Sequence, residues 1–386
     1  MTDFSLFFNL DVAAALDDHD ATARAYREAE EQSVLAERQG FDGIWVAEHH
    51  FASFGRSPAP LLFLSRLSVR TSTLRLGTAI AEAPHYHPLR LAEEAALLDH
   101  LSGGRLQLGL GTGGSSKKLE YELFGIDFDE RNARMRDAAR TVVAAFDGET
   151  VDLEGETYSV SGARIVPRPF QCGARAVWVA ASDETTRFAG ENGLGLLFGR
   201  AVTPARRAEL LDTYRDALGT RPGRRASLIF AFPAETDEEA WERTLPVVRH
   251  YAELQSAVVH ADGPVDWDGH PGTPEYFEIL ERLTFTVGSV ERVTERLGRF
   301  IEDNEADELL LQTYAGASRH PDALAANDLL AREVLPHLRT VSRIPDGASV
   351  HGGTPANVQV APVEQAMATI AGIAIARNTN LFRGAE

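Results

Sequence analysis

Cysteine is nearly absent from this chain: one residue, Cys172, among 386. No internal disulfide can form, which suits a reducing compartment. Long apolar runs are missing too. None approaches the roughly 20 residues a membrane-spanning helix needs. The N-terminal MTDFSLFFNLD lacks a basic stretch and a small-residue cleavage site, so a first strand is expected there rather than a signal peptide. These absences together point to a cytoplasmic protein with no membrane role. Positive charge is short: 38 Lys and Arg stand against 57 Asp and Glu, for a net charge of −19. Nucleic acids and anionic membranes need basic patches, so both are disfavoured as partners. An anionic cofactor would need local donors to hold it against that field. No nicotinamide-type glycine fingerprint follows the first strand.

What is present is a regular alternation. Strand-like runs lie at 4–10, 43–49, 74–81, 105–111, 176–181, 193–199, 225–232 and 308–313. Most are continuously apolar, as strands of a parallel sheet covered on both faces should be. Helix-like segments fall between them, and a last one near 322–338 follows the eighth strand. Eight strand–helix units in series predict a single α/β domain, a (β/α)8 TIM barrel over residues 1–340, rather than a doubly wound open sheet. Two insertions break the rhythm. One, after strand 4, includes VDLEGETYSV, which reads as a small hairpin. The other, 255–288 after strand 7, is rich in Gly, Pro, Asp and aromatics and is expected as a mobile loop. Residues 341–386 read as a Gly/Pro linker and a short helical arm, a C-terminal extension suited to packing between subunits.

In a barrel the working residues sit at the C-terminal ends of the strands. Strand 2 ends its apolar run, Ile44 to Ala47, in Glu48, His49 and His50. Strand 3 is followed by Glu82, His85 and His87, strand 4 by GLGTGGSS and two lysines, and strand 5 by Ser182-Asp183-Glu184-Thr185. Adjacent histidines on a strand point to opposite faces, so His49 and His50 cannot share one ion without a bend. No metal is expected, and one of the two, His50, suits a structural bond behind the wall. The glycine-rich turn and the Ser-capped helix each have an ordinary structural explanation. Together they offer backbone N–H groups and hydroxyls for a phosphate. Arg131 or Arg134 could reach back to it.

EHHFASFG (48–55), LRLGTAI (74–80), HPLRLAEEAALLDHLSGGRLQLGLGTG (87–113), FGIDFDER (124–131) and ASDETT (181–186) resemble motifs of the luciferase-like flavin monooxygenases, in particular the luciferase α-subunit type. The resemblance runs from strand one to about residue 338 and implies a (β/α)8 barrel. It implies reduced FMN from a separate flavin reductase, and O2 as oxidant through a flavin hydroperoxide. The substrate would be small or carrier-bound, and the chain a homodimer pairing through PLRLAEEAALLDHL (88–101), whose Leu91, Ala92, Ala95, Ala96 and Leu98 form stripes more apolar than a solvent-facing helix needs. His49 then matches the catalytic histidine and His50 its more structural partner. Ala79-Ile80 matches a non-proline cis peptide under the flavin. Gly111 and Thr112 match flavin-side positions of strand four; Arg131, Ser182 and Thr185 match phosphate contacts. Gly111 and Thr112 replace the Cys and Arg of luciferase, so more room beside the flavin is expected, with Lys117 or Lys118 compensating for the arginine. Alternatives are a deazaflavin-dependent oxidoreductase of the same superfamily, a non-catalytic flavin-binding subunit and, last, a metal-dependent barrel hydrolase.

Overall fold

The computed structural model describes residues 2–15, 17–51, 55–113, 117–148, 150–200, 202–256 and 267–339, so the predicted arm at 341–386 lies outside the described residues. Strands β1 (Asp3–Phe8), β2 (Gly43–Val46), β3 (Arg75–Glu82) and β4 (Leu106–Gly111) pair in sequence order. A hairpin of β5 (Val151–Glu154) and β6 (Ser159–Ala163) stands outside the main sheet. The sheet continues through β7 (Val177–Ala180), β8 (Gly195–Phe198) and β9 (Arg225–Ala234). After β10 (Phe285–Ser289), β11 (Glu308–Gln312) closes the ring between β9 and β1. Every pairing in this sheet is parallel, and the closed eight-strand barrel is the expected one.

Helices fill the connections: α1 (His19–Gln39), α2 (Pro60–Ser68), α3 (Pro88–Ser102), α4 (Lys118–Leu123), α5 (Arg131–Phe146), α6 (Asp183–Glu191), α7 (Pro204–Leu218), α8 (Asp237–Ser256), α9 (Pro274–Arg282), α10 (Val290–Asn304), α11 (His320–Leu329) and α12 (Leu335–Leu338). Local chemistry sets their limits. The Asp18 carboxylate accepts the N–H of Ala21 at 2.8 Å to start α1, and Gly40 ends it at φ 83°, a left-handed angle that glycine adopts without a Cβ clash.

One expectation fails in the second insertion. Residues 255–288 are not one long loop: α9 and β10 lie within them, and the loop expectation keeps only a part, some of it outside the described residues. The Gly/Pro-rich run ahead of Thr273 masked a helix signal. Thr273 caps Tyr276 N–H at 3.2 Å, Pro274 takes the first turn, and Tyr276, Ile279 and Leu280 are buried at helical spacing. β10 then adds a ninth strand on the upper half of β9, Phe285 opposite Phe230 through Ser289 opposite Ala234. The two phenylalanine rings stack at 4.1 Å.

The barrel interior is packed, not hollow. Trp45 and Trp178 meet edge to face at 5.6 Å in its centre, with Phe7, Leu197 and Leu310 around them. Each indole lies over a glycine of the neighbouring strand: a Cβ on Gly77 would sit 2.3 Å from Trp45, and one on Gly195 2.2 Å from Trp178. Their N–H groups are satisfied low in the barrel. Trp45 Nε1 donates to Glu308 at 2.9 Å and Trp178 Nε1 to Gln107 at 2.8 Å. This plug forms the base on which the mouth is built.

Candidate active site

Above the tryptophans the strands open. Ala79 and Ile80 pack on the central cluster and keep part of their surface open, joined by a cis peptide as the resemblance implies. Gly111 adjoins them, but it does not provide the room expected of it. A Cβ built there would lie 2.4 Å from Ile80 Cδ1 and 3.0 Å from Ala180 Cβ, so Ile80 already fills the space. Gly199 at the end of β8 has nothing within 4 Å of such a Cβ. Ala79, Ile80 and Ala180 thus make a low floor beside Gly111.

His49, three residues past the end of β2, is surrounded by protein yet partly open. Its Nε2 lies 2.7 Å from Asn9 Oδ1, and Lys117 Nζ lies 3.1 Å from its Nδ1. The lysine side chain is 8% exposed and also holds Glu82 at 2.9 Å and Glu120 at 2.7 Å. An ammonium has only donors, so Nδ1 must accept and Nε2 must carry the proton. His49 is therefore neutral. Burial, then the Lys117 charge, then His50 hold its pKa well below the usual histidine range.

His50 faces away, as adjacency on a strand requires. Its Nε2 meets Glu48 at 2.8 Å, and its ring packs edge-on against Phe124 at 4.9 Å. Glu48 also accepts the Tyr86 hydroxyl at 2.9 Å and the Glu82 N–H at 3.1 Å. His85 lies between Tyr121 and Phe124, ring centroids 4.6 and 4.7 Å away. Burial first, then the charges of His50 and Lys117, push it down to about 3. Burial raises Glu82 and lifts Glu120 to about 7 against the pull of Lys117. One ammonium is shared between these two carboxylates, and burial favours the protonated form of each.

Among the described residues, Glu48, His50 and His85 place ligand-type atoms within 4.8 Å of one another. Adjacency of His49 and His50 hid this grouping, because the third member comes from the next strand. In the structure its closest pair is already joined as a hydrogen bond.

The phosphate-side residues sit further round the mouth. Ser182 caps α6, accepting the Thr185 N–H at 3.2 Å, and the two hydroxyls lie 2.9 Å apart. Thr185 is buried, and its hydroxyl donates to Ala180 O. Thr112 O accepts the Tyr121 hydroxyl at 2.8 Å. Arg131 bonds Phe128 O at 3.0 Å and stacks on that ring at 4.1 Å, while Arg134 pairs with Glu130 at 2.9 Å. Lys117, expected to aid a phosphate, is committed to His49 and the two glutamates; Lys118 is exposed at the start of α4.

Sequence reasoning missed Asn9 and Gln312. Gln312, at the end of β11, is fully buried with neither amide atom paired among the described residues. Asn9 Nδ2 is likewise buried and unpaired among them. Buried amides at the end of an apolar strand were the available signal. A floor of small side chains beside unpaired amides fits a flat ring carrying polar edges, as a flavin does.

Fold and site together define a TIM-barrel enzyme with an acid–base cluster at the strand ends. The model of the luciferase-like monooxygenase family matches residues 3–308, and the chain belongs to that family. Membership in that family makes it an oxidoreductase of the luciferase-like monooxygenase type. The oxygenase component of a flavin-dependent trigonelline monooxygenase from Acinetobacter baylyi is 33% identical over 202 residues, 52% of this chain and 54% of that protein. An F420-dependent glucose-6-phosphate dehydrogenase from Rhodococcus jostii is 33% identical over 177 residues, 44% of this chain and 52% of its own. The chain thus matches about half the length of each of these relatives. Among solved structures, the monooxygenase RslO1 from Streptomyces bottropensis superposes with a TM-score of 0.75 at 24% identity, covering 87% of this chain and 99% of that one. The oxygenating constituent of 3,6-diketocamphane monooxygenase from Pseudomonas putida, in complex with FMN, gives 0.68 at 19%, covering 87% and 99%. Among the described residues no helix is long and apolar enough to cross a membrane.

Proposed function

We propose that the chain is the oxygenase component of a two-component monooxygenase, taking reduced FMN from a separate reductase and transferring one atom of O2 to a small or carrier-bound organic substrate. The observation that carries this reading is His49 at the strand-end mouth, held neutral with its proton on Nε2. Reduced flavin supplies the electrons that activate O2. The chain must then keep water and stray protons away. With its single N–H given to Asn9 and its Nδ1 taken by Lys117, the neutral His49 ring brings no acid proton to that mouth. Lys117 links His49 to Glu82 and Glu120, so these carboxylates stand one residue behind the ring.

Ser182, Thr185 and the first turn of α6 offer N–H and hydroxyl groups to the phosphate. Gly111 and Thr112 border the ring, and Arg131 reaches the phosphate by leaving Phe128. His50 supports Glu48 rather than touching the ring. The protein acts in the cytoplasm as a homodimer. The α3 stripe first suggested for pairing, Leu91, Ala92, Ala95, Ala96 and Leu98, is buried inside the protomer. The pairing face is instead the outer side of α2 and α3, where Leu62, Leu97 and Leu101 are 74%, 50% and 51% exposed.

The F420-dependent relative supports a second reading, hydride transfer with a reduced deazaflavin and no O2. Turnover under 18O2 with reductase-generated FMN distinguishes them. One 18O atom appears in the product on the first reading. Substrate oxidation that proceeds without oxygen overturns it.

A further inference from the structure

Asn9 follows the end of β1 and continues the alternation of Ser5 and Phe7, whose side chains enter the barrel. Its amide has two ends, and His49 is bonded to the oxygen end at 2.7 Å. That choice is enforced. Lys117 donates to Nδ1 of His49, so the proton must sit on Nε2, and Nε2 can only donate. A turned amide would aim its NH2 at an N–H. The opposite orientation is therefore closed off, and Asn9 Nδ2 is left buried, with no partner among the described residues. A buried donor kept unpaired costs about 1–3 kcal/mol unless something takes it up.

We propose that Asn9 is a ligand-binding residue whose Nδ2 donates to a carbonyl oxygen on the pyrimidine ring of the bound flavin or deazaflavin, and that Lys117 is the positioning residue that aims it, acting through His49. This rests on the flavin site proposed above but not on the choice between FMN and F420, because both rings carry those carbonyls. The charged groups acting on His49 are Lys117 and His50; Glu120 on α4 and Glu82 at the end of β3 hold Lys117, and Glu48 and His85 stand against His50. Lys117 is the one that meets Nδ1, at 3.1 Å. Removing it frees Nδ1 to carry the proton. Nε2 then accepts, the Asn9 amide turns, and the donor is withdrawn from the ligand.

The test uses the full chain under anaerobic conditions. Asn9→Asp keeps size and the acceptor for His49 but replaces the donor; Asn9→Leu removes both. Each should weaken binding of reduced FMN by roughly 2- to 10-fold or more, the range for one lost hydrogen bond. Lys117→Met should weaken it similarly with Asn9 present and add nothing in an Asn9→Leu background. Lys117→Arg should restore part of the affinity. Should Lys117→Met fail to fold because Glu82 and Glu120 lose their cation, Lys117→Met with Glu120→Gln replaces it. If the wild type takes up reduced F420 and not reduced FMN, the FMN reading fails, and the same variants are titrated with reduced F420. 15N-histidine spectra need no cofactor. They should show His49 as the neutral Nε2–H form from pH 6 to 8 in wild type, and a mixed or titrating ring in Lys117→Met. Unchanged affinity in both Asn9 variants, or an Nδ1–H His49 in wild type, overturns the proposal.

Discussion

Two glycines of β4, two residues apart, should respond very differently to a single methyl group. At Gly109 an added Cβ would stand 2.1 Å from the carbonyl oxygen of Thr78 and 2.6 Å from Leu197 Cδ1. The oxygen belongs to the backbone of the paired strand. Relief requires β3 and β4 to part by more than an ångström, against the Thr78 hydroxyl bond to Gly109 O at 2.7 Å. At Gly111 the nearest atom is Ile80 Cδ1 at 2.4 Å, the end of a side chain that can rotate toward the open mouth. Gly111→Ala should therefore cost about 1–3 kcal/mol, the usual range for overpacking. Gly109→Ala should exceed about 4–5 kcal/mol, which is exceptional for one methyl group and a large share of a domain's stability. Urea unfolding and soluble yield measure both. Gly111→Ala should also weaken binding of reduced FMN, because the displaced Ile80 rises into the floor. Equal stability of the two variants, or the reverse order, would refute the packing argument.

His49→Ala should leave the fold intact and lower product formation per reduced flavin by roughly 10²–10⁴-fold, with peroxide release rising in step; near-wild-type coupling would show that His49 is only structural. His85→Phe should gain stability relative to wild type as pH falls below 6.5. The wild-type ring stays neutral to about 3 when folded, whereas the unfolded chain takes up the proton near 6.5. Wild-type stability is thus present above 6.5 and lost as pH falls, by up to about 1.4 kcal/mol per pH unit; parallel pH curves for the two proteins would contradict the buried neutral ring. Leu97→Glu with Leu101→Glu should turn a dimer into a monomer by light scattering at micromolar concentration, and an unchanged mass would place the pairing face elsewhere.

The barrel was legible because each strand run from 4–10 to 308–313 is covered on both faces and stays apolar to its end. The strand-end residues followed from that count. The hairpin at VDLEGETYSV appears as β5 and β6. Less legible was whatever depends on neighbours from other strands. Lys117 reads as one of two surface lysines after a glycine-rich turn, yet the fold places it among His49, Glu82 and Glu120. Gly111 reads as a gap until Ile80 is seen beside it. The α3 stripe reads as an interface, but the protomer's own packing uses it, and Leu97 and Leu101 on the other side remain exposed. Helix α9 was hidden by the Gly- and Pro-rich run before it.

The central claim is that this mouth holds a reduced flavin for reaction with O2. The most direct measurement is an anaerobic titration of the chain with reduced FMN and, separately, with reduced F420, each followed by admission of oxygen while the flavin spectrum and peroxide are recorded. The account predicts binding of reduced FMN more tightly than oxidised FMN, and an oxygen reaction on the protein with peroxide released more slowly than from free reduced FMN. Binding confined to reduced F420, with no reaction on admission of oxygen, would contradict it.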